Sequence, residues 1–297
     1  MPATAEDERI HRVEDTSPHW SDSLYFNAWD PKARVCLLTR MALLPNKPAA
    51  TAGLLAWIDG MPGYAFGHDL DHLPAGNWDA MQIGGLTYRM VRPLQTWRVE
   101  LADGEQRGAL TWEGFSGVFH YHDNIQPLPR AVAWGHYEQS CTVRGELVLH
   151  GHRIDFDGVG QRDHSWGFRH WAGLTEWHWI TALFGTRRSF NLFHVVQPNG
   201  TVTVNGFVHD GGADHPLIAV ERTTHEALGR NPETCELRLT VAGGRAFSVR
   251  GTRAGLAVPV KPGDEGTVVH EVPMSFESDG LEGFGFYEFL ENETGRA

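Results

Sequence analysis

The sequence predicts an all-β protein, an antiparallel sandwich or barrel, and three observations carry that expectation. Short runs alternate apolar with polar residues, paired turn residues punctuate the runs at regular spacing, and long stretches with helical apolar periodicity are absent. Glycine and proline, 34 and 16 of the 297 residues, are spread evenly along the chain, as frequent turns require. Short hairpin-linked strands of this kind bury their apolar faces by forming sandwiches or barrels.

The hairpins follow in chain order. Val99 and Leu101 lead through Asp103-Gly104 to Leu110 and Trp112. Cys141, Val143, Leu147 and Leu149 alternate before Gly151 turns the chain into Ile154 and Phe156. Val195 passes through Asn199-Gly200 to Val202 and Val204. Cys235, Leu237, Leu239 and Val241 alternate with Glu236, Arg238 and Thr240, and Gly243-Gly244 then leads to Phe247 and Val249. Two-residue hairpin turns favour such pairs because their central residues need positive φ. No Pro-rich or charged linker divides the chain. The loop Asp157-Gly158-Val159-Gly160 nearly bisects it, so the expected halves are residues 1–160 and 161–297, with no sequence repeat between them.

Composition narrows the function. Lys and Arg number 25 against 37 Asp and Glu, a net charge of −12, which draws in neither nucleic acid nor an anionic membrane. Apolar residues at 41%, with 11 Trp and 15 Phe, describe a folded core and not a disordered chain. The longest apolar stretch, around Leu54 to Ile58, falls far short of the roughly 20 residues of a membrane span. The start MPATAEDERIHRVED is polar and acidic with no apolar h-region, unlike a secretory signal. Cys36, Cys141 and Cys235 are odd in number and widely spaced, so neither a disulfide framework nor a zinc cluster follows. The expectation is a soluble, cytoplasmic protein. Nothing in the sequence sets its oligomeric state, and a homodimer stays open.

The densest chemistry is in Gly160-Gln161-Arg162-Asp163-His164-Ser165-Trp166-Gly167. On an extended chain Arg162, His164 and Trp166 share one face, and Asp163 and Ser165 the other. His164 then lies beside an aromatic wall, a combination that suits an apolar substrate whose reacting atom needs a proton. Asp163 orients His164 only if the chain bends there. The same residues also read as structural ion pairs with a core indole. Gly158-x-Gly160 is no nucleotide fingerprint, since the third glycine is missing and no helix follows.

The stretch resembles the signature of the lipocalin-like proteins related to carotenoid 1,2-hydratase (hydroxyneurosporene synthase), the AttH-like superfamily. His136-Tyr137-Glu138-Gln139 and Trp20…Tyr25-Phe26…Asp30-Pro31 fit a bacterial branch of it, and the resemblance spans residues 18–290. It implies two lipocalin-like antiparallel β-barrel or sandwich halves in tandem, with a site near their junction. Relatives hydrate carotenoid double bonds, cyclise terpenoid epoxides or act as Diels–Alderases. They use acid/base side chains in an apolar cavity, with no metal and no organic cofactor. In the carotenoid hydratases a His-x-Trp pair works with a Tyr-x-Asp pair one strand later. Here His164-x-Trp166 matches the first, but Asn191-Leu192-Phe193 stands where the second belongs. Asp163 is then the replacement acid, with Glu138 or Asp157 contributing.

The expected function is therefore a cofactor-independent lyase or isomerase acting on a hydrophobic small molecule such as a terpenoid, steroid or polyketide. Asp163, His164, Arg162 and Glu138 are the expected catalytic residues, with Arg162 or Arg169 setting the acidity. Trp166, Arg169, Trp177, Trp179, Tyr137 and Phe193 are the expected substrate-binding residues. In Glu176-Trp177-His178-Trp179 the indoles are expected to face inward, because burying them gains more than burying an acid. Glu288 shares a face with Phe284 and Phe286, which reads either as a general acid or as a strand residue paired with an arginine. Two other functions stay open: a lipocalin-like binding protein for a hydrophobic ligand, and a metal-dependent hydrolase. The latter would draw on His120/His122, His150/His152 or the loop His68-Asp69-Leu70-Asp71-His72. Nucleophilic catalysis has little support without a Gly-x-Ser-x-Gly elbow.

Overall fold

A computed structural model describes residues 3–226, 231–261 and 266–292. Alternation governs it throughout, and the chain divides into two compact units. The first unit, Met1–His120 with Ala133–Arg169, holds β1 (Trp20–Asp30), β2 (Val35–Leu44), β3 (Ala49–Ile58), β4 (Met61–Leu70), β5 (Met81–Ile83) and β6 (Leu86–Arg92). It continues with β7 (Thr96–Asp103), β8 (Gln106–Gly114), β9 (Phe119–His120), β10 (Gly135–Leu149) and β11 (His152–Phe168). These form one antiparallel sheet in the order β4-β3-β2-β1-β11-β10-β8-β7-β6-β5, with β9 added on β10. The first and last long strands are neighbours, so the sheet curls around a core that includes Phe26, Met41, Trp78, Tyr88, Trp97 and Trp112.

The second unit, Tyr121–Val132 with His170–Ala297, holds β12 (Glu176–Phe184), β13 (Arg188–Val196), β14 (Val202–Asp210), β15 (Ala213–Glu226) and β16 (Pro232–Val241). It ends with β17 (Ala246–Arg253), β18 (Val258–Val260), β19 (Thr267–Ser278) and β20 (Leu281–Asn292). The order is β17-β16-β15-β14-β13-β12-β20-β19-β18, and an added β17–β19 pairing closes the barrel, leaving β18 as a side strand. Its interior is packed by Ile180, Phe190, Leu192, Leu239, Phe247 and Val272 among others. The Tyr121–Val132 segment is tied down by Asn124, whose amide donates to Asn205 Oδ1 at 2.8 Å and to the Leu217 carbonyl at 3.1 Å.

The all-β expectation and its two halves are present, and the turn glycines Gly104, Gly151, Gly200, Gly243 and Gly244 all have positive φ. The expected division at 160/161 lies inside β11, which runs unbroken through Asp157–Gly160; the chain leaves the first unit after Arg169. The physical reason lies in the glycines. A Cβ at Gly158 would overlap the Trp29 carbonyl, and one at Gly160 the Asn27 carbonyl, so these residues let β11 lie close against β1. They are a packing device within a strand, not a loop. No helix among the described residues is long and apolar enough to cross a membrane.

Candidate active site

β11 keeps its register with both neighbours through the motif, and those neighbours decide what each face meets. β1 sets Leu24 opposite His164 and Asp22 opposite Trp166, while β10 sets Tyr137 opposite His164, Gln139 opposite Arg162 and Gly135 opposite Trp166. Directly opposed residues share a face. One face of the sheet therefore carries Asp22, Tyr137, Gln139, Arg162, His164 and Trp166 together.

Asp22 is the centre of this cluster. His164 Nε2 lies 2.7 Å and Trp78 Nε1 3.0 Å from its Oδ1. The backbone N–H of His11 lies 2.7 Å and His11 Nδ1 3.1 Å from its Oδ2. Burial pushes the Asp22 carboxyl up, but the charge of His164 and hydrogen bonds from His11 and His164 outweigh it and hold the group well below the usual carboxylate range. An ionised carboxylate only accepts, so both imidazoles present N–H to it. The Nδ1 of His164 faces the Tyr137 hydroxyl at 3.4 Å. Burial first, then the charge of Glu8, raises the Tyr137 phenol far above its ordinary value, so it stays protonated and donates. The His11 ring stacks on the Trp166 indole with centroids 3.7 Å apart and planes 5° from parallel. Gly135 makes room for that indole, since a Cβ there would overlap its ring.

Arg162, the deepest cation of the motif, is fully buried and spent on an equally buried carboxylate. Its Nη2 donates to Glu8 Oε1 at 2.8 Å and its Nε to Gln139 Oε1 at 2.8 Å. Glu8 also accepts from the Leu94 N–H at 2.8 Å and Trp97 Nε1 at 2.9 Å. Burial opposes the charge on Glu8, yet Arg162 and His164 bring its carboxyl below the ordinary value.

Asp163 faces the other way. With no bend in β11, it lies on the opposite face with Ser165, Glu138 and His136, where His136 Nε2 is 3.1 Å from Glu138 Oε1 and Nδ1 meets Ser165 Oγ. Asp163 thus cannot orient His164, and Asp22 from β1 does so instead. Glu138 is on the far face for the same reason of parity. Arg169 donates to Ser23 Oγ at 2.8 Å, away from His164.

The second unit reverses the expected facing of β12. His178 shares its face with the core residues Ile180, Ala182 and Phe184, whereas Trp177 and Trp179 are on the other side. The indoles are buried even so, because that side is also covered: Trp177 packs edge-on against Trp171 at 4.6 Å and near Phe193 at 5.7 Å. His178 is in turn built into a polar network. Arg222 donates to His178 Nε2 at 3.1 Å and to the Tyr287 hydroxyl at 2.8 Å. Glu288 is opposite Glu271 and hydrogen-bonds it; burial and that neighbour push Glu271 well above the carboxylate range. Asn191, in place of the expected phenol, accepts from the Tyr121 hydroxyl.

The histidine pairs fare differently from expectation. β9 ends at His120, so His122 does not share a strand with it. His150 donates to the Gly63 carbonyl, and His68 and Asp69 belong to β4 and not to a loop. His11, Asp22 and His164 come close enough to hold a cation, and the His11 backbone N–H and Trp78 Nε1 each already donate to one Asp22 oxygen. The three thiols are buried, and burial raises Cys141 and Cys235 to about 12, unfit as nucleophiles. Asp22, Trp78, Glu8 and His11 escaped the sequence reading. Asp22 was legible only as one more strand residue, and Glu8 and His11 lie in a charged leader that carries no pattern.

Solved structures of other proteins share the fold, among them the following three. An AttH from Nitrosomonas europaea matches with a TM-score of 0.67 at 13% identity, covering 92% of this chain and 93% of that one. Kievitone hydratase from Nectria haematococca matches at 0.62 and 13%, covering 90% and 88%. CghA, solved with Sch210972, matches at 0.65 and 16%, covering 93% and 89%. The AttH-like, lipocalin-like fold expected from the motif is thus present. No curated protein sequence matches the chain. A family model described as Domain of unknown function (DUF7064) matches residues 4–293, and the chain belongs to that family.

Proposed function

We propose that this protein is an acid/base lyase or isomerase that hydrates, dehydrates or cyclises an apolar small molecule, of the terpenoid, steroid or polyketide kind, with its own side chains. One observation carries the reading: a buried, ionised Asp22 holds two imidazoles, His164 and His11, beside the Trp166 indole. A carboxylate that accepts the N–H of an imidazole fixes its tautomer and stabilises the imidazolium formed when it takes a proton. Indole faces stabilise positive charge and keep water out. One protein of similar fold is named a hydratase, which agrees with this chemistry.

The test is untargeted mass spectrometry of an apolar host extract incubated with wild type, Asp22→Asn and His164→Gln. The expected result is a metabolite changed by one water or by none with wild type, and a loss of about 100-fold or more in both variants. Folded variants that keep wild-type turnover would remove this cluster from the chemistry. If all three proteins instead retain the same unmodified compound, the protein is a binding module.

A further inference from the structure

We infer that His11, brought in by the N-terminal segment, is the group that exchanges a proton with substrate, and that the substrate is a carbon acid, with the reacting C–H next to a carbonyl. The inference rests on the reading of this cluster as an acid/base centre and says which member of it meets the substrate. His164 is fully buried, and both of its ring nitrogens are engaged, Nε2 by Asp22 and Nδ1 by Tyr137. It has no nitrogen left for a ligand. The His11 side chain is 18% exposed, and with Nδ1 taken by Asp22 its Nε2 has no hydrogen-bond partner among the described residues. With the Nδ1 proton donated to Asp22, the neutral His11 ring has its lone pair on Nε2, which makes that atom the base.

The ring is held on three sides. Its plane is fixed by the Trp166 stack, its Nδ1 edge by Asp22, and its backbone N–H by the same carboxylate at 2.7 Å. Three residues earlier, Glu8 anchors the segment in the ion pair with Arg162. A leader packed this closely into the motif is part of the site. His164 and Asp22 are then positioning residues, with the His164 ring edge-on to the base at 5.2 Å.

The chemistry of the cluster limits the substrate. Asp22 and Glu8 are each surrounded by N–H donors that favour the ionised form, so neither supplies the strong carboxylic acid needed to protonate an isolated alkene. An imidazole removes a proton only from an activated carbon. His11 Nε2 accepts the proton, and the C–H electron pair moves toward the carbonyl to give an enolate. As the pair returns to form the double bond, a β-hydroxyl group leaves and takes the proton from the imidazolium, departing as water. Isomerisation differs only in returning that proton to the far carbon. Both are balanced with no further reactant.

The test uses the full chain. Diethyl pyrocarbonate labelling mapped by mass spectrometry should modify His11 and spare His164, and the opposite order would overturn the inference. Turnover of the metabolite found with wild type is then followed in D2O for wild type, His11→Ala and His11→Gln. Alanine retains the backbone N–H that bonds Asp22, so the segment keeps that anchor. The expected result is a loss of ~100-fold in both variants, partial rescue of His11→Ala by added imidazole, and solvent deuterium either exchanged into recovered substrate at the carbon next to a carbonyl or delivered to the far carbon of an isomerised product. His164→Gln and Asp22→Asn should lower kcat with KM held. Wild-type turnover in both His11 variants, with Asp22→Asn inactive, overturns the inference and leaves the acid/base reading standing. Full activity in every variant, or no metabolite changed by wild type, removes that reading and the inference with it.

Discussion

Replacing Glu8 by Ala removes the carboxylate that pairs with the fully buried Arg162. It also strips an acceptor from the Leu94 N–H and from Trp97 Nε1. Breaking a buried ion pair by deleting one partner costs about 3–5 kcal/mol, because the remaining charge stays in a low-dielectric site. Gln139 still accepts from Arg162 Nε and water enters the space left, so the low end, about 3 kcal/mol, is expected. Glu8→Gln retains an acceptor and should cost about half as much, in the range of about 1–3 kcal/mol for a weakened buried hydrogen bond. The double variant Glu8→Met/Arg162→Met should recover most of the loss, since it removes both charges together. Urea unfolding of the full chain measures the sizes, and hydrogen exchange of β10 and β11 peptides shows whether the loss is local. A cost below about 1 kcal/mol for Glu8→Ala, or a double variant no better than the single one, would refute the claim that the leader is docked through this pair. The carboxyl is held below its ordinary value, so its contribution is present above the unfolded-state value and is lost as pH falls through the folded one.

Two further outcomes are expected. Gly160→Ala should abolish folding of the first unit or cost more than about 3 kcal/mol, since the new Cβ meets the backbone carbonyl of Asn27, which cannot move without breaking β1 from β11; circular dichroism and urea unfolding decide this. His194 is lowered from 6.5 to about 4, first by burial, then by the charges of Arg222 and His178. Between those values the unfolded chain binds the extra proton, so stability falls as pH drops from 6.5 towards 4. His194→Asn should flatten that part of the stability–pH curve, and an unchanged slope would refute it.

Much of the architecture was legible in the sequence because strand parity is a local property. The hairpins at Asp103-Gly104, Asn199-Gly200 and Gly243-Gly244 follow from alternation and turn chemistry, which need no knowledge of distant residues. Parity also separated Arg162, His164 and Trp166 from Asp163 and Ser165. It could not say which partners those faces would meet. The facing of β12 misled because burial favours indoles on any covered side, and both sides of that strand are covered.

What the sequence by itself determined, then, is the class of fold, the turns and the two faces of the motif strand, since each depends on neighbours within a few residues. Only the tertiary structure decided the site. It brought Asp22 to His164 across 142 positions and Glu8 to Arg162 across 154, and it folded a patternless leader so that His11 rests on Trp166. Such contacts are set by register between strands and by the burial of charge that must find a partner, and neither leaves a periodic trace along the chain.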